Sequence, residues 1–353
     1  MAYTTVDDGS EYFHIQTWTG TSDDSTKTIT NNANAGDFKP DWLWIKGRSG
    51  TYGSGRDHAL YDSSRGATKR LESSAADAEA STDSNNTFNT NGFTLTANYS
   101  INGPSTTYVG WQWKANGGTT SSNSDGNITS TVQVNTTAGF SIVTFTGNAT
   151  AGQTVGHGLG VKPEIIFAKN RSNGNNWNVY AEPVDNTGNN YLTLNGTVGK
   201  ESDFNMWNDT APTTSLITLG DRNETNGSSH NMVFYCFHSI QGYSKFGSYI
   251  ANGNSDGPFI YMGFKPAFVI FKRTDGASAW QTHDRTRETV NDGTSPALKP
   301  NQTDAEFSKN VDFLSNGIKI RDTSSDLNGS ADQEYIYMAF AEHPFVSSKG
   351  VPV

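Results

Sequence analysis

Gly263-Phe264-Lys265-Pro266-Ala267-Phe268-Val269-Ile270-Phe271-Lys272 is the stretch on which the reading of this chain turns. The same order of glycine, lysine–proline, apolar run and closing lysine stands at Gly160-Val161-Lys162-Pro163-Glu164-Ile165-Ile166-Phe167-Ala168-Lys169. A looser version stands at Gly36-Asp37-Phe38-Lys39-Pro40-Asp41-Trp42-Leu43-Trp44-Ile45-Lys46. A proline ahead of an apolar run suits the start of a strand, where its missing N–H costs no ladder bond. The run is apolar at successive positions, so both faces are covered: Trp42 and Trp44 on one, Leu43 and Ile45 on the other. Each run therefore predicts a central strand with structure above and below it.

The motif belongs to a longer repeat. Phe140 and Tyr243, Pro163 and Pro266, Trp177 and Trp280, and Phe237 and Phe340 each stand 103 residues apart. From motif proline to a closing aromatic (Trp113, Phe237, Phe340) the distance is 73, 74 and 74 residues. Further strands are predicted after Asn91-Gly92 and Asn316-Gly317, where the Asn-Gly pair suits a tight turn with positive φ. The Ala-rich stretch from Ala67 to Ala80 has room for one or two helical turns. The expected class is all-β: three tandem antiparallel β-sandwich repeats of about 100 residues, jelly-roll or immunoglobulin-like in size. Expected boundaries are residues 1–116, 128–240 and 241–353. Residues 117–127, rich in Gly, Ser and Thr, read as a flexible linker that sets the first copy apart. The short joint His238-Ser239-Ile240-Gln241-Gly242 should make copies two and three a stiffer pair.

Only 33% of the 353 residues are hydrophobic, yet 12% are aromatic, which suits thin sandwiches with a few large rings in each core. The net charge of −10 and the lack of a Lys/Arg cluster argue against nucleic acid as a partner. No stretch nears the roughly 18 apolar residues of a membrane span, so no membrane insertion is expected. The start, Met1-Ala2-Tyr3-Thr4-Thr5-Val6-Asp7-Asp8, lacks the pattern of a secretory signal, which leads to the expectation of a soluble product made and folded in the cytoplasm. Cys236, the single cysteine, reads as a buried structural thiol.

No nucleophilic serine motif or zinc spacing is present, and neither catalytic residues nor a metal or cofactor is expected. Asn252-Gly253-Asn254-Ser255-Asp256-Gly257 resembles the start of a calcium loop but lacks the downstream glutamate and reads as a turn. Asp62 and Asp284 are each followed three residues later by arginine, Arg65 and Arg287, and read as ion pairs bridging a turn. Copy two has Ala181 in place of the acid. Aromatics precede these positions, and Trp177, Tyr180, Trp280 and His283 are the candidate residues for stacking on sugar rings.

Several segments resemble a family of marine bacteriophage virion proteins. They are Thr5-Val6-Asp7-Asp8-Gly9-Ser10-Glu11-Tyr12-Phe13, Pro40 to Lys46, Leu60-Tyr61-Asp62-Ser63-Ser64-Arg65-Gly66-Ala67-Thr68-Lys69, Asn91-Gly92-Phe93, Tyr108 to Gly118, and Asn127 to Gly160. The resemblance covers roughly residues 1 to 180 and reaches the rest through the repeat. It implies a virion location and host contact, and brings no catalytic motif. The function expected is a non-enzymatic virion protein of the capsid or tail surface, a host-attachment fibre or adhesin. The alternatives are a purely architectural decoration protein or tail adaptor, and a glycan-degrading depolymerase. Expected partners are other virion proteins and a host cell-surface glycan or receptor, with a homotrimer expected by analogy.

Overall fold

The computed structural model describes residues 4–21, 25–33, 36–81, 83, 86–288, 290–344 and 346. Met1 to Tyr3, on which the reading of the start partly rests, lie outside them. The fold is all-β, with helix limited to single turns. No helix among the described residues is long and apolar enough to cross a membrane. Copy one carries β1 (Phe13–Thr19), β2 (Lys27–Ile29), β3 (Trp42–Gly50), β4 (Ala59–Asp62), β5 (Gly66–Glu72), β6 (Thr87–Phe88), β7 (Phe93–Leu95) and β8 (Thr106–Trp113). Copy two carries β9 (Ser121–Asn123), β10 (Ser130–Asn135), β11 (Phe140–Thr146), β12 (Gln153–Gly156), β13 (Ile165–Asn170), β14 (Asn178–Ala181), β15 (Asn190–Thr193), β16 (Glu201–Ser202), β17 (Leu216–Leu219) and β18 (Asn231–Phe237). Copy three carries β19 (Ser244–Asn252), β20 (Phe259–Tyr261), β21 (Phe264–Arg273), β22 (Gln281–Asp284), β23 (Ser295–Ala297), β24 (Phe307–Lys309), β25 (Val311–Leu314), β26 (Gly317–Ile320) and β27 (Ala331–Pro344).

One frame recurs three times. In each large sheet the opening strand pairs with the closing strand, which pairs with the motif strand and then its hairpin partner. The orders are β1-β8-β3-β4, β11-β18-β13-β14 and β19-β27-β21-β22. Copy one adds β5 at one end, and copy two adds β15-β16 at one edge and β10-β9 at the other. A smaller sheet, β2-β7-β6, β12-β17 or β20-β26-β25, contributes to each copy's own core.

The motif strands are covered on both faces, as the apolar runs require. Leu43 and Ile45 enter the core of copy one, Ile166 and Ala168 that of copy two, and Val269 and Phe271 that of copy three. Their neighbours Trp42, Trp44, Ile165, Phe167, Phe268 and Ile270 all enter one further core, which the three large sheets share. At its centre the three closing aromatics meet. Trp113 lies 5.6 Å from Phe340 and 6.5 Å from Phe237, and Phe237 lies 5.9 Å from Phe340, centroid to centroid. Edge-to-face contact of this kind is favoured by the aromatic quadrupole.

This shared core corrects the expected organisation. Copy one is not set apart, because its rings complete the centre. The expected flexible linker is a bonded strap: β9 pairs with β10, the amides of Ala115 and Gly117 donate to Asp41 Oδ2 (2.7 and 2.9 Å), and that of Gly118 donates to Gln133 Oε1 (2.8 Å). The helical turns expected between Ala67 and Ala80 do not form. Gly66–Glu72 is strand, and Arg70 and Ala80 exchange backbone bonds of 2.9 Å. Pairing with β4 thus overrides a local helix preference. The Asn-Gly corners also divide. Both glycines lie against a carbonyl oxygen, where a Cβ would sit 2.0 Å from that of Ile29 at Gly92 and 2.1 Å from that of Ile260 at Gly317, but only Gly92 has the positive φ, +94°.

Candidate functional site

The repeat places equivalent residues at three seams, and each seam is closed by the same contacts in cyclic order. The closing lysine of each motif is buried and donates to a backbone carbonyl of the neighbouring copy. Lys46 reaches Thr303 (3.2 Å), Lys169 reaches Ala76 (2.8 Å) and Lys272 reaches Thr197 (3.2 Å). Burial pushes all three ammonium groups down to about 8, and further carbonyls accept from each: Gly53 and Arg56 from Lys46, Asn175 from Lys169 and Arg273 from Lys272. A ring follows the same rule. Trp177 Nε1 donates to Glu72 O (2.8 Å), Trp280 Nε1 donates to Thr193 O (3.0 Å), and His58 Nε2 lies 3.0 Å from Lys299 O. Backbone bonds complete the set: Glu79 N to Arg171 O, Lys200 N to Thr274 O, and Glu306 N to Arg48 O.

Two of the seams also carry a buried ion chain. Asp62 accepts from the Arg65 backbone and guanidinium, and Arg65 passes to Glu79 (2.8 Å), which Arg171 of copy two grips with two bonds. Asp284, Arg287, Glu306 and Arg48 repeat the chain between copies three and one. Burial alone would raise the Glu79 and Glu306 carboxyls, but the paired arginines hold both below the usual range. Each aspartate also accepts from a ring of the next copy, Asp62 from Tyr235 Oη (2.6 Å) and Asp284 from Trp111 Nε1 (2.9 Å). At the third seam the acid position holds Ala181, the arginine position Val184, and the donor position Met338. Acid and donor are present together or absent together. The turn-bridging ion pairs read in the sequence are therefore rivets between copies.

This geometry corrects the sugar-stacking residues. Trp177, Tyr180, Trp280 and His283 are all buried, the first and third at seams and the other two in the cores behind them. A strand covered on both faces leaves no ring face for a ligand. Burial pushes the His283 imidazole down to about 3, where neither ring nitrogen has a partner, and His157 down to about 4. Both are neutral in the fold, whereas in the unfolded chain they take up a proton near pH 6.5. The folded pKa lies below the unfolded one, so their contribution is complete above pH 6.5 and is lost as pH falls toward 4 and then 3. We expect the urea midpoint to decline steadily across that window. His283→Phe should flatten the decline, and an unchanged profile in that variant would refute the assignment.

An exposed aromatic pair lies elsewhere. Phe259 and Tyr261 stand at alternate positions of β20, an edge strand, and are 46% and 52% exposed, while Ile260 between them is buried. Lys245 Nζ sits 5.3 Å from the Tyr261 ring centre and donates to its carbonyl. Cross-strand positions opposite the pair are Lys319 and Gly317. Superposing the repeats at Ile29, Val155 and Ile260 places Thr28 and Thr30 here in copy one, and Thr154 and Gly156 in copy two. Comparison of the three copies at this strand is the signal that would have found the pair. Residues 252–257 form a turn, whose Asp256 carboxylate pairs with Lys319 (2.8 Å) and Arg321 (3.1 Å). Among the described residues no three His, Cys, Asp or Glu side chains gather as a metal would need.

Fold and seams together define an all-β chain whose three repeats close into one body around a common core. The chain belongs to the family described as Domain of unknown function (DUF7483), whose model matches residues 8–344. That match runs through all three copies. No curated protein and no solved structure matches the chain.

Proposed function

We propose that this protein is a non-enzymatic bacteriophage virion protein that contacts the host surface, with Phe259 and Tyr261 taking a glycan by ring stacking. The observation that carries the reading is this pair of half-exposed rings on an edge strand, present in one copy and replaced by small residues in the other two. Flat rings two residues apart on a rigid sheet suit successive sugar faces, and Lys245 beside the Tyr261 ring suits an acidic glycan. The virion location rests on the resemblance of residues 1 to 180. The enclosed state of Asp62 and Asp284, each held by an arginine, gives the depolymerase alternative no support from those carboxylates. By analogy with fibre proteins, a homotrimer is part of this reading.

Binding to a glycan array tests the site. Covering the exposed half of each ring is worth about 1 kcal/mol, so Phe259→Ala with Tyr261→Ala should weaken binding roughly thirtyfold. The fold should be unaffected, since the substitutions are at the surface. Unchanged binding by the double variant would remove the pair from the site, and a lack of binding by the unaltered chain would return the protein to the architectural alternative.

A further inference from the structure

The seam between copies one and two brings a hydroxyl, a carboxylate and a carboxamide together. Asp41 follows the motif proline and stands beside Ser63 at the open end of the β3–β4 hairpin, where the Ser63 amide donates to Asp41 O at 2.8 Å. The Ser63 hydroxyl donates to Asp41 Oδ1 at 2.6 Å. Asp41 Oδ2 accepts from the amides of Ala115 and Gly117, which fix the carboxylate in place. Burial raises this carboxyl above its usual range, against the bonds it accepts from Ser63, Gly117 and Ala115, and so favours its taking a proton.

Gln133 of copy two reaches the same point from β10, and both it and Asp41 are fully buried. Gln133 Nε2 donates to Ser63 Oγ and Ser64 Oγ, each at 2.9 Å, and Gln133 Oε1 lies 3.4 Å from Ser63 Oγ. With ordinary amide bond lengths, these distances put the carboxamide carbon no more than about 3.6 Å from Ser63 Oγ, at the edge of the range for attack. The last torsion of glutamine is soft, and a modest turn presents the face of that carbon to the oxygen. Gln133 Oε1 also accepts from the amides of Gly118 (2.8 Å) and Asn116 (3.2 Å). Two backbone amides on one carbonyl oxygen polarise it and stabilise an oxyanion there. The other copies lack the set. Glu164 and Ala267 stand at the place of Asp41, and Glu182 and Arg285 at the place of Ser63, so neither has this hydroxyl and the repeat's packing does not require one.

We infer that Ser63 and Gln133 form an ester across this seam, with Asp41 as the base. Ser63 Oγ adds to the Gln133 carboxamide carbon as its proton passes to Asp41. Negative charge gathers on Oε1, against the amides of Asn116 and Gly118. The carbon–nitrogen bond then breaks, Asp41 returns the proton to the departing nitrogen, and ammonia leaves. One C–O bond replaces one C–N bond, and no oxidant or second reactant enters. The product ties copies one and two together covalently beneath the strap.

Intact-mass measurement of the purified full chain, fresh and after storage, tests this. The mass should fall about 17 Da below that of the sequence, the mass of one ammonia. Digestion should yield a peptide joining Ser63 to Gln133, and mild alkaline hydroxylamine should part it and leave a hydroxamate at position 133. Ser63→Ala should abolish the loss and the joined peptide, and Ser63→Thr should restore both. Asp41→Asn keeps the shape of the side chain and should slow the loss roughly a hundredfold or more. A mass that stays at the sequence value through storage would overturn the inference. So would a loss of ammonia that survives Ser63→Ala, which would place it at Ser64 or at an Asn-Gly pair such as Asn116-Gly117. An equal rate in Asp41→Asn would overturn the role of Asp41.

Discussion

Arg65→Val is expected to destabilise the whole chain by about 3–5 kcal/mol, the usual effect of leaving a buried charge without its partner. Arg65 is enclosed and binds the Asp62 carboxylate, Glu79, and the carbonyls of Lys69 and Leu60. Without the guanidinium, Asp62 keeps the backbone amide of residue 65 (2.8 Å) and Tyr235 (2.6 Å) but no counter-charge, and must be buried as an uncompensated anion or take up a proton. Copy two shows how the same place is built without charge. The variant carrying Asp62→Ala, Arg65→Val and Tyr235→Met installs the residues found at the third seam, Ala181, Val184 and Met338. It should be more stable than Arg65→Val alone, because replacing a whole buried ion network by apolar groups avoids the orphaned charge. Urea unfolding of both variants checks this. A triple variant no better than the single one would show that the seam depends on the ions themselves.

Trp113→Ala should cost about 3–5 kcal/mol, and should do so in one transition. Trp113 contacts Phe13 and Trp42 of copy one, Phe237 of copy two, and Phe268 and Phe340 of copy three. A cavity at this point removes contacts from all three large sheets together. Calorimetry should therefore show a single peak shifted down, with its enthalpy matching the van't Hoff value. Two peaks, one unmoved, would mean that the copies fold on their own and that the shared core is only a contact between finished domains.

Much of this could be read before any coordinates. The two-faced burial of the motif strands follows from Trp42 and Trp44 alternating with Leu43 and Ile45. The equivalence of Trp113, Phe237 and Phe340 follows from their constant distance to the motif proline. The shared Asp-x-x-Arg of copies one and three was visible, as was its loss at Ala181. Trp177 and Trp280 stood out as well, yet reading them as ligand sites failed, because a repeated tryptophan looks the same at a seam as at a surface. Phe259 and Tyr261 give no signal for the converse reason: their exposure depends on β20 lying at a sheet edge. The Gly/Ser/Thr composition of residues 117–127 suggested freedom, but the Asp41 carboxylate and Gln133 side chain that hold this strap come from elsewhere in the chain.

The amino-acid sequence by itself determined the strands, their two faces and their threefold recurrence, because these depend on spacing along the chain. Only the tertiary structure decided that the second face of each central strand meets the other two copies, turning three repeats into one body. A lysine at the end of an apolar run looks the same whether it reaches water or a neighbour's carbonyl. The choice is made where backbone groups from distant segments converge and water is excluded, and no periodicity within one segment records that convergence.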